Sequence, residues 1–147
     1  MDSIWTVYFD GSSFGKGRRG GPGPSAGAAV LVSAQGVAYT NSLYLPRSDS
    51  DTAEYCGLIC GLKAALDAGA QSIVIRGDSR NVIDQISGRK VIRKKELLSL
   101  GTDAHLLLDR FRNWSIEWIP RARNNLADAA ARACIDQARS PSNNSMF

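Results

Sequence analysis

Apolar residues run together or alternate over three early stretches, Ile4 to Phe9, Ala28 to Ser33 and Val37 to Leu45, and each predicts a strand. Gln35-Gly36 is a tight connection between the second and third, so the opening of the chain predicts an antiparallel meander. Between the first two, Gly11 to Gly27 is crowded with Gly, Ser and Pro, and its turn chemistry predicts a surface loop. From Asp51 the period lengthens: Tyr55, Leu58, Ile59, Leu62, Ala65 and Leu66 share one helical stripe that stops at Gly69. Ser72 to Arg76 predicts a further strand ended by Gly77 and Asp78, and Asn81 to Ile86 a short helix. Another helix is expected through Leu97, Leu98, Gly101, His105, Leu108 and Phe111, then a last strand from Ser115 to Ile119 closed by Pro120. An Ala-rich helix begins at Asn124.

The order β-β-β-α-β-α-α-β-α predicts an α/β fold, a five-stranded mixed sheet with helices on both faces, because strands joined through helices are normally parallel crossovers. At 147 residues there is room for one core, so a single domain over 1–138 is expected, with 139–147, rich in Ser, Pro and Asn, as a disordered tail. No apolar run approaches the roughly 18 residues of a membrane span, so no membrane segment is expected. The chain opens straight into a strand-like run with no signal-peptide pattern and reads as intracellular. Three cysteines are an odd number, and Cys56 and Cys60 stand four apart in a helical pattern, which reads as buried free thiols in a reducing compartment. Net charge is only +4, but the basic residues cluster at Lys16 to Arg19, Arg89 to Lys95, and Arg121 with Arg123. A basic run alone usually marks a solvated face; nucleic acid is the functional alternative.

Four acids carry the candidate chemistry, and each has an ordinary reading by itself. Asp10 stands before Gly11 as a turn aspartate would, and Asp51-Thr52-Ala53-Glu54 passes as a capping box. Asp78 can cap the helix after it, and Asp128 sits in a first helical turn, where an acid favours the dipole. What those readings leave unexplained is that all four fall at a strand end or a helix start, positions that can face one another across a sheet. Such a set can hold two magnesium ions, which activate a water and stabilise the departing oxygen in phosphodiester hydrolysis.

Tyr8-Phe9-Asp10-Gly11-Ser12, Thr52-Ala53-Glu54, Gly77-Asp78-Ser79 and Asn124-Asn125-Leu126-Ala127-Asp128-Ala129-Ala130-Ala131 resemble, in order, the four acidic motifs of type 1 ribonuclease H. The resemblance spans about residues 4–136 and implies the ribonuclease H-like fold. It implies an endonuclease that cuts the RNA strand of RNA–DNA hybrids, leaving 5′-phosphate and 3′-hydroxyl ends. Two Mg2+ ions, replaceable by Mn2+, would be held by Asp10, Glu54, Asp78 and Asp128. By the same resemblance Ser12, Ser13, Glu54 and Arg80 are candidates to read the RNA 2′-hydroxyls, Gly11 is a further nucleic-acid contact, and Arg47 lies where a DNA phosphate is gripped.

The chain departs from the family's pattern in several places. The family's loop histidine is missing: the lone His105 lies in a predicted helix, where packing or plain surface exposure is the ordinary role, and Pro120-Arg121-Ala122-Arg123 offers arginines instead, as in archaeal-like and plant-like members. Arginine cannot act as a base near neutral pH, so Arg121 or Arg123 would hold phosphate. Ser50-Asp51-Thr52 replaces a usual amide-rich stretch, and residues 14–24 form a longer connection than usual. A monomer is expected, either a free enzyme or the excised domain of a retroelement polyprotein. The rival from another class is a non-catalytic RNA–DNA hybrid-binding module, and a third possibility is a related DNA nuclease.

Overall fold

The computed structural model describes residues 4–14 and 22–140, so the basic cluster at 16–19 and the tail after Ser140 lie outside the described residues. Strands β1 (Ile4–Ser13), β2 (Gly23–Val32) and β3 (Ala38–Ser48) form the expected antiparallel meander. β4 (Ser72–Gly77) then returns parallel to β1, and β5 (Asn113–Trp118) lies parallel to β4, giving one five-stranded sheet in the order β3-β2-β1-β4-β5. The helices are α1 (Ser50–Asp67), α2 (Arg80–Ile86), α3 (Lys95–Leu108) and α4 (Asn125–Arg139), the last preceded by a short 3-10 turn at Arg121–Arg123.

Alternation along the strands sorts the two faces. Val7, Phe9, Ala29, Leu31, Ile73 and Ile75 join Tyr55, Leu58 and Leu62 of α1, Val82 and Ile83 of α2, and Leu97 and Leu108 of α3 in the main core. The intervening Ala26, Ala28 and Val30 are also buried, on the side where α4 crosses β1 to β3 with Ala127, Ala131 and Ile135 buried. Burying each large side chain contributes about 1.5–3 kcal/mol, so the apolar periodicity is what fixes helices to both faces. The Tyr55 hydroxyl adds a specific tie, donating to Gln85 Oε1 of α2 at 2.6 Å. Among the described residues no helix is long and apolar enough to cross a membrane.

Two expectations about boundaries are corrected. Gly11 to Gly27 is not one loop: the β1–β2 ladder continues through Gly11↔Gly27, Ser12↔Ala26 and Ser13↔Ser25. The small residues there permit contact rather than turning. A Cβ at Gly27 would collide with the backbone of α1 at Gly57, and one at Gly57 would collide with the carbonyl of Asp10. Ser25, fully buried, has its hydroxyl 2.9 Å from Ser13 Oγ and 2.8 Å from the carbonyls of Gly23 and Ser48, so the three strand ends are tied together. The second correction concerns α1, which starts at Ser50 because Asp49 caps it, accepting from the Thr52 N–H at 2.8 Å. Glu54 is therefore not needed in a capping box.

Candidate active site

The sheet register builds the site. Phe9 and Gly77 are parallel partners, so the residues that follow them, Asp10 within β1 and Asp78 just past the carboxyl end of β4, come side by side where ligands gather in open α/β sheets. Ser79 caps α2 through the Val82 N–H, which leaves the Asp78 carboxylate free of the capping role its position suggested. Glu54 arrives from the first turns of α1. Gly11 lets the helix close on the strand, since a Cβ there would collide with the backbone of Ala53 and Glu54, and the Gly11 N–H donates to Glu54 Oε1 at 2.8 Å. One oxygen each from Asp10, Glu54 and Asp78 then lie within 4.8 Å of one another.

Crowding and burial make this cluster proton-hungry. Asp10 is 5% exposed; burial, with the charges of Asp78 and Asp128, pushes its carboxyl up to about 6, although hydrogen bonds from Glu54 and the Gly11 N–H pull the other way. Burial pushes Glu54 well above its usual range, helped by its hydrogen bond with Asp10 and the negative charge beside it. Glu54 Oε2 is buried with no hydrogen-bond partner. A divalent cation fits these observations: it takes oxygen ligands, satisfies that orphaned atom and relieves the repulsion.

Asn124 is the residue that sequence reasoning missed, because an asparagine ahead of an Ala-rich helix reads as a cap. It stands at the cap position of α4 yet makes no capping bond. Instead its buried Nδ2 donates to the Phe9 carbonyl and to Asp78 Oδ2, both at 2.8 Å, bridging β1 to the acid that follows β4. Only an apparent oddity pointed to it: two successive asparagines where one cap suffices.

The other candidates are spread around this core. Asp128, in the first turn of α4, lies outside the three-acid cluster; its charge raises Asp10, and its carboxylate pairs with Arg132 at 3.3 Å. Ser12 and Ser13 end β1, and the Ser13 hydroxyl is 2.9 Å from the Ser48 carbonyl, engaged within the fold. Arg47 is exposed near the end of β3. Arg80 opens α2, and its guanidinium carbon sits over the Trp118 ring. Arg121 and Arg123 are both exposed in the 3-10 turn, but Arg123 lines a depression of about 230 Å³ on the sheet with Tyr8, Arg76, Glu117 and Ile119. His105 sits exposed on α3, edge-on to Trp114 with ring centroids 6.4 Å apart, and lies outside the acid cluster.

A family model described as reverse transcriptase-like matches residues 13–134. The N-terminal ribonuclease H domain of Rv2228c from Mycobacterium tuberculosis superposes with a TM-score of 0.86 at 34% identity, covering 96% of this chain and 99% of that one. The chain belongs to the type 1 ribonuclease H family. Ribonuclease HI of Halobacterium salinarum, a relative within the family, is 40% identical over 133 residues, 90% of this chain and 64% of its own length. Against the complete Rv2228c, described as a bifunctional protein, identity is 39% over 83% of this chain, which spans 34% of that protein's length. The ribonuclease H1 LC11, solved in complex with an RNA/DNA hybrid, has a TM-score of 0.80 at 27% identity over 92% of this chain and 99% of its own. Ribonucleases H depend on divalent metal, and the Asp10, Glu54 and Asp78 cluster is the oxygen set here that suits one.

Proposed function

We propose that this chain hydrolyses the RNA strand of RNA–DNA hybrids, producing 5′-phosphate and 3′-hydroxyl ends. The observation that carries the reading is the convergence of Asp10, Glu54 and Asp78 within 4.8 Å, two of them buried, with Glu54 Oε2 unsatisfied. Mg2+ is the expected cation, as two ions, with Mn2+ able to replace it; Asp10, Glu54 and Asp78 would hold them, and Asp128 would complete the set. Bound there, the cations supply Lewis-acid charge beside the scissile phosphate and an acidified water. The chain's own residues do the positioning: the Gly11 N–H aims Glu54, Asn124 holds Asp78 against β1, and Arg121 or Arg123, both facing solvent, would bind phosphate in place of a loop histidine. Gly11, Ser12 and Ser13 form the strand end proposed to read the RNA 2′-hydroxyl, with Arg47 gripping the DNA strand.

A hybrid-binding module without activity is disfavoured by the same cluster, because a binder gains nothing from burying Asp10 and Glu54 beside further negative charge that holds both carboxyls above their usual range. The molecule is proposed to act as a monomer, either free or as a domain of a longer protein such as a retroelement polyprotein. Asp10→Asn tests the chemistry: it removes a cation ligand and a negative charge, so cleavage should vanish while hybrid affinity holds. Cleavage surviving at the native rate would overturn the site assignment.

A further inference from the structure

Asp78 is held at two points, and only one of them is its carboxylate. Trp118, at the end of β5, donates its indole Nε1–H to the Asp78 carbonyl at 3.1 Å, while Asn124 holds the carboxylate. The parallel pairing of Gly77 with Trp118 sets the indole there. On the same indole lies Arg80, its guanidinium carbon 3.8 Å from the ring centroid. Arg80 is exposed, Trp118 is 37% exposed, and among the described residues none of the Arg80 guanidinium N–H groups has a protein acceptor. An arginine two residues from Asp78 would ordinarily collapse onto it. Here the ring face holds the cation instead, and no Arg80–Asp78 ion pair forms.

We propose that Trp118 is a positioning residue with two tasks, fixing the Asp78 backbone and holding the Arg80 guanidinium off the acids as a preformed contact for a substrate phosphate. The inference rests on the proposed reading of the site as a hybrid nuclease and adds to it how one wall of that site is kept in order. Stacking orders a long side chain before substrate arrives, so less freedom is lost when its planar fork meets a phosphodiester. Keeping the guanidinium away from Asp78 also leaves that carboxylate for the cation.

The two tasks separate by substitution. Arg80→Ala should weaken hybrid binding severalfold in chelator and make the salt dependence shallower by about one phosphate. Trp118→Phe keeps a ring for Arg80 but loses the N–H, so binding should hold while kcat and the cation-induced rise in Tm both fall. Trp118→Leu releases Arg80 towards Asp78 and should raise the Mg2+ concentration needed for that rise; adding Arg80→Ala should recover part of the loss. A native salt slope in Arg80→Ala, or a native Mg2+ midpoint in both Trp118 variants, overturns the inference. Should Trp118→Leu fail to fold, Trp118→Phe and Arg80→Ala still decide it. A parent chain that binds no hybrid overturns the proposed function and this inference with it, whereas a parent that binds and cuts beside variants that match it overturns this inference alone.

Discussion

Burial lifts the Asp10 carboxyl to about 6 and holds Glu54 well above its normal range, so in the cation-free protein folding and protonation are linked. A carboxyl whose pKa is higher folded than unfolded binds protons more readily in the folded state. Stability therefore falls as pH rises from the ordinary 3.8 of an aspartate through about 6, and the cost is fully present above that. For Asp10 the cost is on the order of 3 kcal/mol. In chelator, Asp10→Asn should raise Tm at about pH 8 and give a clearly smaller gain at about pH 5, partway through that window, and divalent cation should stabilise the parent more than the variant. Equal Tm gains at both pH values would show that the cluster is not strained by charge. Asn124 makes the opposite kind of contribution. Asn124→Ala strips the buried Phe9 carbonyl of its donor and should cost about 1–3 kcal/mol of stability. It also frees Asp78, so kcat should drop with KM little moved; a variant with native Tm and kcat would refute the bridge.

At the level of elements, the acids meet because α1 lies on β1 and β2 with backbone against backbone. Gly57→Ala places a methyl group against the carbonyls of Asp10 and Ala28, which cannot yield as a side chain can. The helix must lift, at about 1–3 kcal/mol, and Glu54 moves with it, so denaturant midpoint and kcat should fall together. Retained stability and activity would show that the close approach is not needed. The same contact explains what was and was not legible in the sequence. Val7 and Phe9, or Leu58 and Leu62, declare their faces by period alone, so strands and helices were found where apolar residues mark them. Glycine carries no such mark: Gly27 and Gly57 touch across elements far apart in the chain, and turn chemistry was the only local signal. Caps stay ambiguous in sequence where several polar residues compete: Asp49 rather than Asp51 caps α1, and of the Asp or Ser expected at the start of α2 it is Ser79 that caps. The Asp10–Asp78 pairing was suggested by strand-end positions but fixed by the Phe9↔Gly77 register, which no local pattern encodes.

Across the whole molecule, an acidic cluster of three sits within a chain of net charge +4. Some of the basic excess is engaged: Lys94 pairs with Asp51 at 3.5 Å and Arg89 with Asp84 at 3.4 Å, anchoring the 89–95 segment to α1 and α2. Such exposed pairs contribute little to stability, about 0–1 kcal/mol each, and their competition with phosphate is correspondingly weak. On the proposed reading, affinity for nucleic acid would come from the basic surface and fall with salt, while the chemistry would belong to the acid cluster of Asp10, Glu54 and Asp78 with Asp128 beside it. The division puts the central claim within reach of one assay. A labelled RNA–DNA hybrid is incubated with the chain beside matched double-stranded RNA and double-stranded DNA, in Mg2+, in Mn2+ and in chelator. The account predicts cutting of the RNA strand of the hybrid alone, in either metal and not in chelator. Hybrid binding with no cutting in any metal, or cutting that persists in chelator, would contradict it.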